Sequence, residues 1–449
     1  MKLRPYQEQA IAELELRFKK HHRVVGVAPT GSGKTVIGAA FATSRANGRV
    51  LWIAHRIELV RQAYHQLLLA GVPETDLGML SGGIELNPSA KVLVATVGMF
   101  YRRQVPNVGL IVVDEAHHVA ATGYTEILYV HKGAKVLGLT ATPWRLDGEA
   151  LGDVFEDLAV MERPTKLIVD GYIAEAIVYG IPEDTSIQLQ KQVDGRGKDY
   201  STKKTADVMN RQARLEELVS EWFRLAGGRA TIVYACSLAH AEEIVQSFRN
   251  ANVTAEMVDW STPADEREDI LGTPMRPGRL ASGETKVVVN LGIMTEGIDC
   301  PPVKCIQLAR PTKSLTLYRQ MCGRGSRPTP DGARPIILDH AGNAWRFGLP
   351  DAEQEWSLEG RAKAHGTAPV KRCDACGCIC AAGCKKCPQC EEEFPSEPKE
   401  IVQQAQRLER IQWSADHRKR REEMVRAMAE ARGLDEQWVM RVLQESEAA

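Results

Sequence analysis

Eight residues, Ala28-Pro29-Thr30-Gly31-Ser32-Gly33-Lys34-Thr35, separate the apolar run Val24-Val25-Gly26-Val27 from an apolar segment with helical spacing. Glycines at 31 and 33 permit dihedrals that other residues avoid. Successive N–H groups can then turn inward on phosphate oxygens while the following helix presents its positive end. Lys34 would reach the β and γ phosphates of a nucleotide, and Thr35 would ligate magnesium. Pro29, Thr30, Gly31, Ser32 and Gly33 complete the cradle, although Ala28 stands where a glycine is usual. A glycine-rich turn joining a core strand to a helix would not explain the lysine.

A second constellation is Leu110-Ile111-Val112-Val113-Asp114-Glu115-Ala116-His117. Four apolar residues make a buried strand, and a carboxylate pair at its end is costly to bury unless a cation or substrate partners it. Asp114 suits magnesium held through water, and Glu115 can orient and deprotonate an attacking water. Alone, the pair reads as a solvated acidic turn; downstream of a phosphate loop it reads as part of a nucleotide site.

The third is a cysteine cluster. Seven of the 11 cysteines fall between Cys373 and Cys390. Cys373 with Cys376, and Cys387 with Cys390, form two CxxC turns spaced to complete a tetrahedral Zn2+ site, a zinc ribbon over 373–395. Cys378, Cys380 and Cys384 leave ligand choice open: Cys384 could replace one partner, or a second, irregular site could form. Buried free thiols are the alternative for these three, but eighteen residues cannot build a core to bury them. Without metal the segment is expected to be unfolded.

These residues need positioning elements. A helix is expected over 6–18, then short apolar runs at 50–54, 92–97, 110–113 and 135–139 alternate with helical stretches such as 57–69. A second alternating series has apolar runs at 231–235, 286–290, 303–308 and 336–338, without a phosphate loop of its own. Strands alternating with helices predict parallel sheets covered on both faces. The fold class is therefore α/β, with two tandem domains, 1–165 and 166–350, and one nucleotide in the cleft between them. The polar stretch 190–199 reads as an exposed loop, 351–372 as a linker, and 399–446 as a charged helical tail. The tail's basic run, His417 to Arg421, is followed at once by Glu422 and Glu423, so a solvated face is its default reading.

Composition sets outer limits. Lys plus Arg (57) nearly balance Asp plus Glu (58) in 449 residues, so polyanion contacts must come from local patches. No apolar run is long enough to cross a bilayer and no signal-peptide core is present, which predicts a cytoplasmic protein without membrane contact.

Together the phosphate loop, Asp114-Glu115-Ala116-His117, Thr140-Ala141-Thr142-Pro143 and Gln320-Met321-Cys322-Gly323-Arg324-Gly325-Ser326-Arg327 resemble the ordered motif set of superfamily 2 helicases and translocases. The resemblance covers about residues 1 to 345 and implies two RecA-like domains. Within the superfamily the chain is similar to the DEAH-containing group that includes RadD-type helicases and type III restriction-enzyme motor subunits. Leu3-Arg4-Pro5-Tyr6-Gln7 resembles the adenine motif, implying ATP contacts from Arg4 and Gln7, with a surface helix residue as the alternative for Gln7. The motif starts almost at the first residue, which suggests a minimal motor. Thr140 and Thr142, with His117, resemble the coupling motif. Thr295, Gly297 and Asp299 match a motif touching both ribose and nucleic-acid backbone.

Arg324 and Arg327, at the expected start of a helix after Gly323 with Gln320 nearby, match the arginine pair that crosses the cleft to the γ-phosphate; surface salt bridging is the alternative. Arg56 and Thr96 resemble backbone-binding motifs. The resemblance implies an ATP- and Mg2+-dependent motor on nucleic acid, DNA more than RNA, with a protein partner possible through the ribbon or tail. The competing reading is a nucleotide-switched scaffold, in which ATP only sets a conformation.

Overall fold

The computed structural model describes residues 2–394 apart from 46–47, 101–104, 146–149, 195–198, 274–275, 295–302, 330 and 361–369; beyond 394 it describes Arg426, Glu436, Gln437 and Met440, all helical. The helical tail expected over 399–446 otherwise lies outside the described residues.

Two eight-stranded sheets organise residues 2–394. In the first, the strands Leu77–Ser81, Val92–Thr96, Arg49–Ala54, Val108–Asp114, Lys135–Thr140, Arg23–Val27 and Asp157–Val160 lie side by side and parallel, and Ile84–Leu86 runs antiparallel at one edge. Continuous apolar runs such as Leu110 to Val113 are buried because helices cover both faces. The second sheet runs Ala255–Val258, Val287–Asn290, Thr231–Tyr234, Cys305–Leu308, Ile336–Asp339 and Ile177–Gly180, all parallel. Leu167 and Ile173 still belong to the first core, and the chain reaches the second sheet at Ile177.

Three stretches depart from the sequence reading. Gln190 to Val193 close the helix Glu183–Val193, in which Leu189 and Val193 are buried, so the helix's apolar stripe overrides the polarity of the stretch. The presumed linker begins as a strap touching both lobes: the Trp144 indole N–H donates to the Ser357 carbonyl (2.8 Å), Trp356 meets Trp144 edge to face at 4.8 Å and lies under the Arg319 guanidinium of the second lobe (5.2 Å), and the Gly152 amide of the first lobe donates to the Leu358 carbonyl (2.9 Å).

The ribbon does not stand apart either. Its strand Cys378–Ala381 pairs antiparallel with Ile177–Gly180, and Val370–Arg372 adds the last strand, so the ribbon caps the edge of the second sheet. Eighteen residues indeed build no core of their own, but the second lobe lends one. Cys378 and Cys380 are buried thiols, the alternative disfavoured from the sequence, and burial pushes both up, to about 12 and about 11.

Candidate functional site

The strand Arg23–Val27 delivers the chain into the phosphate loop, and Lys34 opens the helix Lys34–Arg45. Gly31 and Gly33 adopt φ of +85° and +79°, a region that favours glycine. The loop is tied from below: the Tyr6 hydroxyl donates to the Ser32 carbonyl, and the Ser32 hydroxyl to the Pro29 carbonyl (2.7 Å). Gln7 is buried, which excludes the surface-residue reading; its Oε1 accepts from the Arg4 amide (3.0 Å) and its Nε2 lies so near Gly33 that a Cβ there would sit 2.9 Å away. The Arg4 guanidinium lies over the Tyr172 ring (4.8 Å), and the Tyr172 ring meets that of Tyr6 at 5.0 Å with a tilt of 49°. Arg4, Gln7 and the loop thus share one corner.

Asp114 ends its strand fully buried. Its Oδ1 accepts from the Glu115 amide (3.0 Å), and its Oδ2 is buried without a hydrogen bond. Burial and the adjacent Glu115 carboxylate push the Asp114 carboxyl up to about 7, against the pull of the Lys34 ammonium. A buried carboxylate oxygen with no hydrogen bond of normal geometry and only the Trp52 indole nearby, on a residue that feels the Lys34 ammonium of the phosphate loop, fits a divalent cation. Thr35 and Asp114 are the residues that would hold magnesium, which supplies charge neutralisation for the β and γ phosphates.

The titration has a sign. A carboxyl raised from 3.8 to about 7 holds a proton in the folded state that the unfolded chain has already lost. Its contribution to stability is therefore present at low pH and lost as pH rises to about 7. A cation at Asp114 must expel that proton, so binding of a non-hydrolysable Mg·ATP analogue is expected to release about half a proton at pH 7, more at pH 6 and little at pH 8. Calorimetric titration in two buffers of different ionisation enthalpy measures it, and Asp114→Asn should erase it.

Glu115 sits in the left-handed region (φ 49, ψ 58) just past the strand. From it a buried polar chain leads to the second lobe. His117 Nδ1 lies 3.4 Å from Glu115 Oε2 and 3.2 Å from Thr140 Oγ1, and His117 Nε2 lies 3.4 Å from Gln320 Nε2. The Thr140 hydroxyl donates to the Thr142 carbonyl (2.8 Å), and the Thr142 and Thr316 hydroxyls bond at 2.8 Å. Thr316 was missed by sequence reasoning; its spacing of four from Gln320, which puts both on one helix face, was the available signal.

Gln320 and Thr316 belong to the helix Leu315–Gly323, and Arg324 caps its C-terminal end. The arginines therefore follow a helix and do not begin one: Ser314 supplies the N-cap, its hydroxyl accepting from the Leu317 amide. The segment lies directly on the phosphate loop. A Cβ at Gly323 would meet Thr30 Cβ at 2.4 Å, one at Gly31 would meet Ser326 Oγ at 2.7 Å, and the Ser326 hydroxyl reaches the Thr30 carbonyl (3.2 Å). Arg324 Nε donates to the Met294 carbonyl (2.9 Å), and Arg327, half-buried, follows three residues on.

Arg56 caps the helix Ile57–Leu69. Its guanidinium crosses between lobes to donate to the carbonyls of Ile293 (3.1 Å) and Gly292 (3.2 Å). Thr96 ends the neighbouring strand, in register with Ala54. Thr295, Gly297 and Asp299 lie outside the described residues.

The four ribbon thiols Cys373, Cys376, Cys387 and Cys390 converge within 4.8 Å of one another. The Sγ of Cys373 and Cys390 are 3.7 Å apart, and those of Cys376 and Cys387 3.6 Å. A tetrahedron with Zn–S near 2.3 Å spaces its sulfurs about 3.8 Å apart, so this donor set fits zinc. The two turns match: Gly377 N donates to Cys373 O and Glu391 N to Cys387 O, and both residues have positive φ.

Comparison with known proteins agrees with this architecture. The family described as "Type III restriction enzyme, res subunit" matches residues 1–145, and "Helicase conserved C-terminal domain" matches 211–329. A 51.5 kDa protein of Lactococcus phage (isolate 7-9) is 30% identical over 378 residues, 83% of this chain and 78% of that one. The Saccharomyces cerevisiae protein named as the candidate ATP-dependent helicase IRC3 is 29% identical over 352 residues; the match takes in 72% of this chain and 49% of the yeast protein, so the chain spans about half that relative's length. Among solved structures, the ATP-dependent Type ISP restriction-modification enzyme LlaBIII bound to DNA superimposes on 75% of this chain and 27% of its own, with a TM-score of 0.53 and 18% identity, a likeness of fold alone. Among the described residues no helix is long and apolar enough to cross a membrane. Two parallel-sheet lobes, one phosphate loop and these relatives lead to one conclusion: the chain belongs to the superfamily 2 helicases and translocases, ATP-hydrolysing motors, in the group that shares the type III restriction-enzyme res-subunit domain.

Proposed function

We propose that this chain is an ATP-driven translocase or helicase acting on DNA, with one ATP sandwiched between its lobes. The observation that carries the reading is the packing of Gly323 and Ser326 on Thr30 and Gly31, which brings the arginine-bearing segment against the phosphate cradle. In this reading Arg4 and Gln7 hold adenine, the loop and Lys34 hold the phosphates, and Arg324 and Arg327 offset charge on the γ-phosphate oxygens. Glu115 takes a proton from water as its oxygen attacks the γ-phosphorus and the bond to the bridging oxygen breaks. His117, Thr140 and Thr142 carry the loss of the γ-phosphate to Gln320 and Thr316, and the cleft opens.

Stepping needs a strand held by both lobes. Arg56 and Thr96 supply backbone contacts from the first, and Thr295 from the second. The match to the restriction-enzyme res-subunit family favours DNA over RNA. A four-thiolate zinc site belongs to a reducing compartment, in keeping with a cytoplasmic location, and the ribbon's outer side is offered to nucleic acid or a protein partner.

ATPase assays with single-stranded DNA, duplex DNA and RNA test the proposal. Strong stimulation by DNA is expected; stimulation by RNA alone would reassign the substrate, and turnover indifferent to every polymer would leave only the switched scaffold.

A further inference from the structure

We propose that Trp260 stacks on a base of the bound strand, a contact that rests on the motor reading above and adds a base-contacting residue to the backbone contacts already named. Large aromatic side chains are normally buried, yet Trp260 is 79% exposed. The backbone turn that carries it is braced. The buried Asp259 gathers the turn on one carboxylate oxygen, which accepts from the Ser261 amide (2.9 Å), the Ser261 hydroxyl (2.8 Å), the Thr262 amide (3.1 Å) and the Thr262 hydroxyl (3.2 Å). An indole presented on a rigid turn loses little entropy on binding.

Its place in the fold points to nucleic acid. The Trp260 turn follows the strand Ala255–Val258, whose last carbonyl accepts from the Leu291 amide (3.1 Å) at the end of the adjacent strand Val287–Asn290. The next two carbonyls on that loop, Gly292 and Ile293, are those that Arg56 reaches from the first lobe. On the other side of Trp260, the helix Ala264–Leu271 is tied to Ile57–Leu69 through Arg267–Glu58 (2.7 Å) and Arg61–Glu268 (3.5 Å). Trp260 therefore stands beside the junction where the Arg56 helix meets the second lobe, near the candidate backbone contacts. Every base offers a π-face, so a stacking platform adds affinity without reading sequence, as a motor requires.

The test uses the full chain and two single-stranded DNA oligonucleotides of equal length, one intact and one carrying abasic sites, with the concentration for half-maximal ATPase stimulation as readout. Trp260→Ala is expected to raise that concentration on the intact strand by on the order of ten- to a hundredfold, Trp260→Phe to stay within a fewfold of wild type, and all three proteins to converge on the abasic strand. Equal half-saturation of wild type and Trp260→Ala on intact DNA overturns the inference. So does an equal loss on both strands, which would mark a structural role or a surface for a protein partner. If wild type is stimulated by no polymer, the motor reading fails first, and the stacking with it.

Discussion

Glu115→Gln should stop ATP turnover, lowering kcat by about a thousandfold or more, while Mg·ATP still binds within a fewfold of wild type. The substitution keeps the shape of the side chain and removes its basicity. Glu115 is held at φ 49, a conformation that costs a non-glycine residue on the order of 1 kcal/mol and persists where the surroundings impose it. The strand Val108–Asp114 imposes it on one side and the turn Ala116–His118 on the other, so the amide should occupy the same position. Lys34→Ala provides the contrast: it removes the cation that meets the phosphates, and both binding and turnover should fall. Single-turnover hydrolysis together with nucleotide binding separates the two. Normal hydrolysis by Glu115→Gln would sink the catalytic assignment.

Stripping the ribbon's metal should destabilise the second lobe as well as the ribbon. Metal analysis is expected to find one zinc per chain, and Cys376→Ser or a strong chelator to lower the melting temperature by roughly ten degrees or more. The reason is the docking: Cys378–Ala381 covers the Ile177–Gly180 edge, Ile379 fills the space beside Gly180, and Cys373, Cys378 and Cys387 belong to the second lobe's buried core. Losing the zinc exposes a strand edge and an apolar face together. Cys384→Ser should change the melting temperature little, because its thiol is outside the converging four. A chelator without effect on melting, or a chain free of zinc as purified, would overturn the assignment.

Much of the nucleotide corner was legible because its chemistry is written over a few contiguous residues. Gly31, Gly33 and Lys34 declare a loop that needs positive φ and a cation, and Asp114 with Glu115 declares an acidic end to an apolar strand. Periodicity likewise gave the helix over 57–69 and the alternating strands of both sheets. Errors arose where a residue's role depends on a distant neighbour. The polar stretch after 190 partly joins a helix because Leu189 and Val193 find a core, and Cys378 is buried because the second sheet offers an open edge.

By itself the sequence determined the two α/β lobes and the glycine-containing loop and acidic strand end of the first, since each rests on spacing along the chain, whereas which four of the seven clustered cysteines converge was left to the fold. Only the tertiary structure decided that the ribbon extends the second sheet, that Thr316 meets Thr142, and that Arg56 spans the junction beside an exposed Trp260. Those pairings join residues 174 or more positions apart, and such contacts follow from how the lobes pack, which local pattern does not encode.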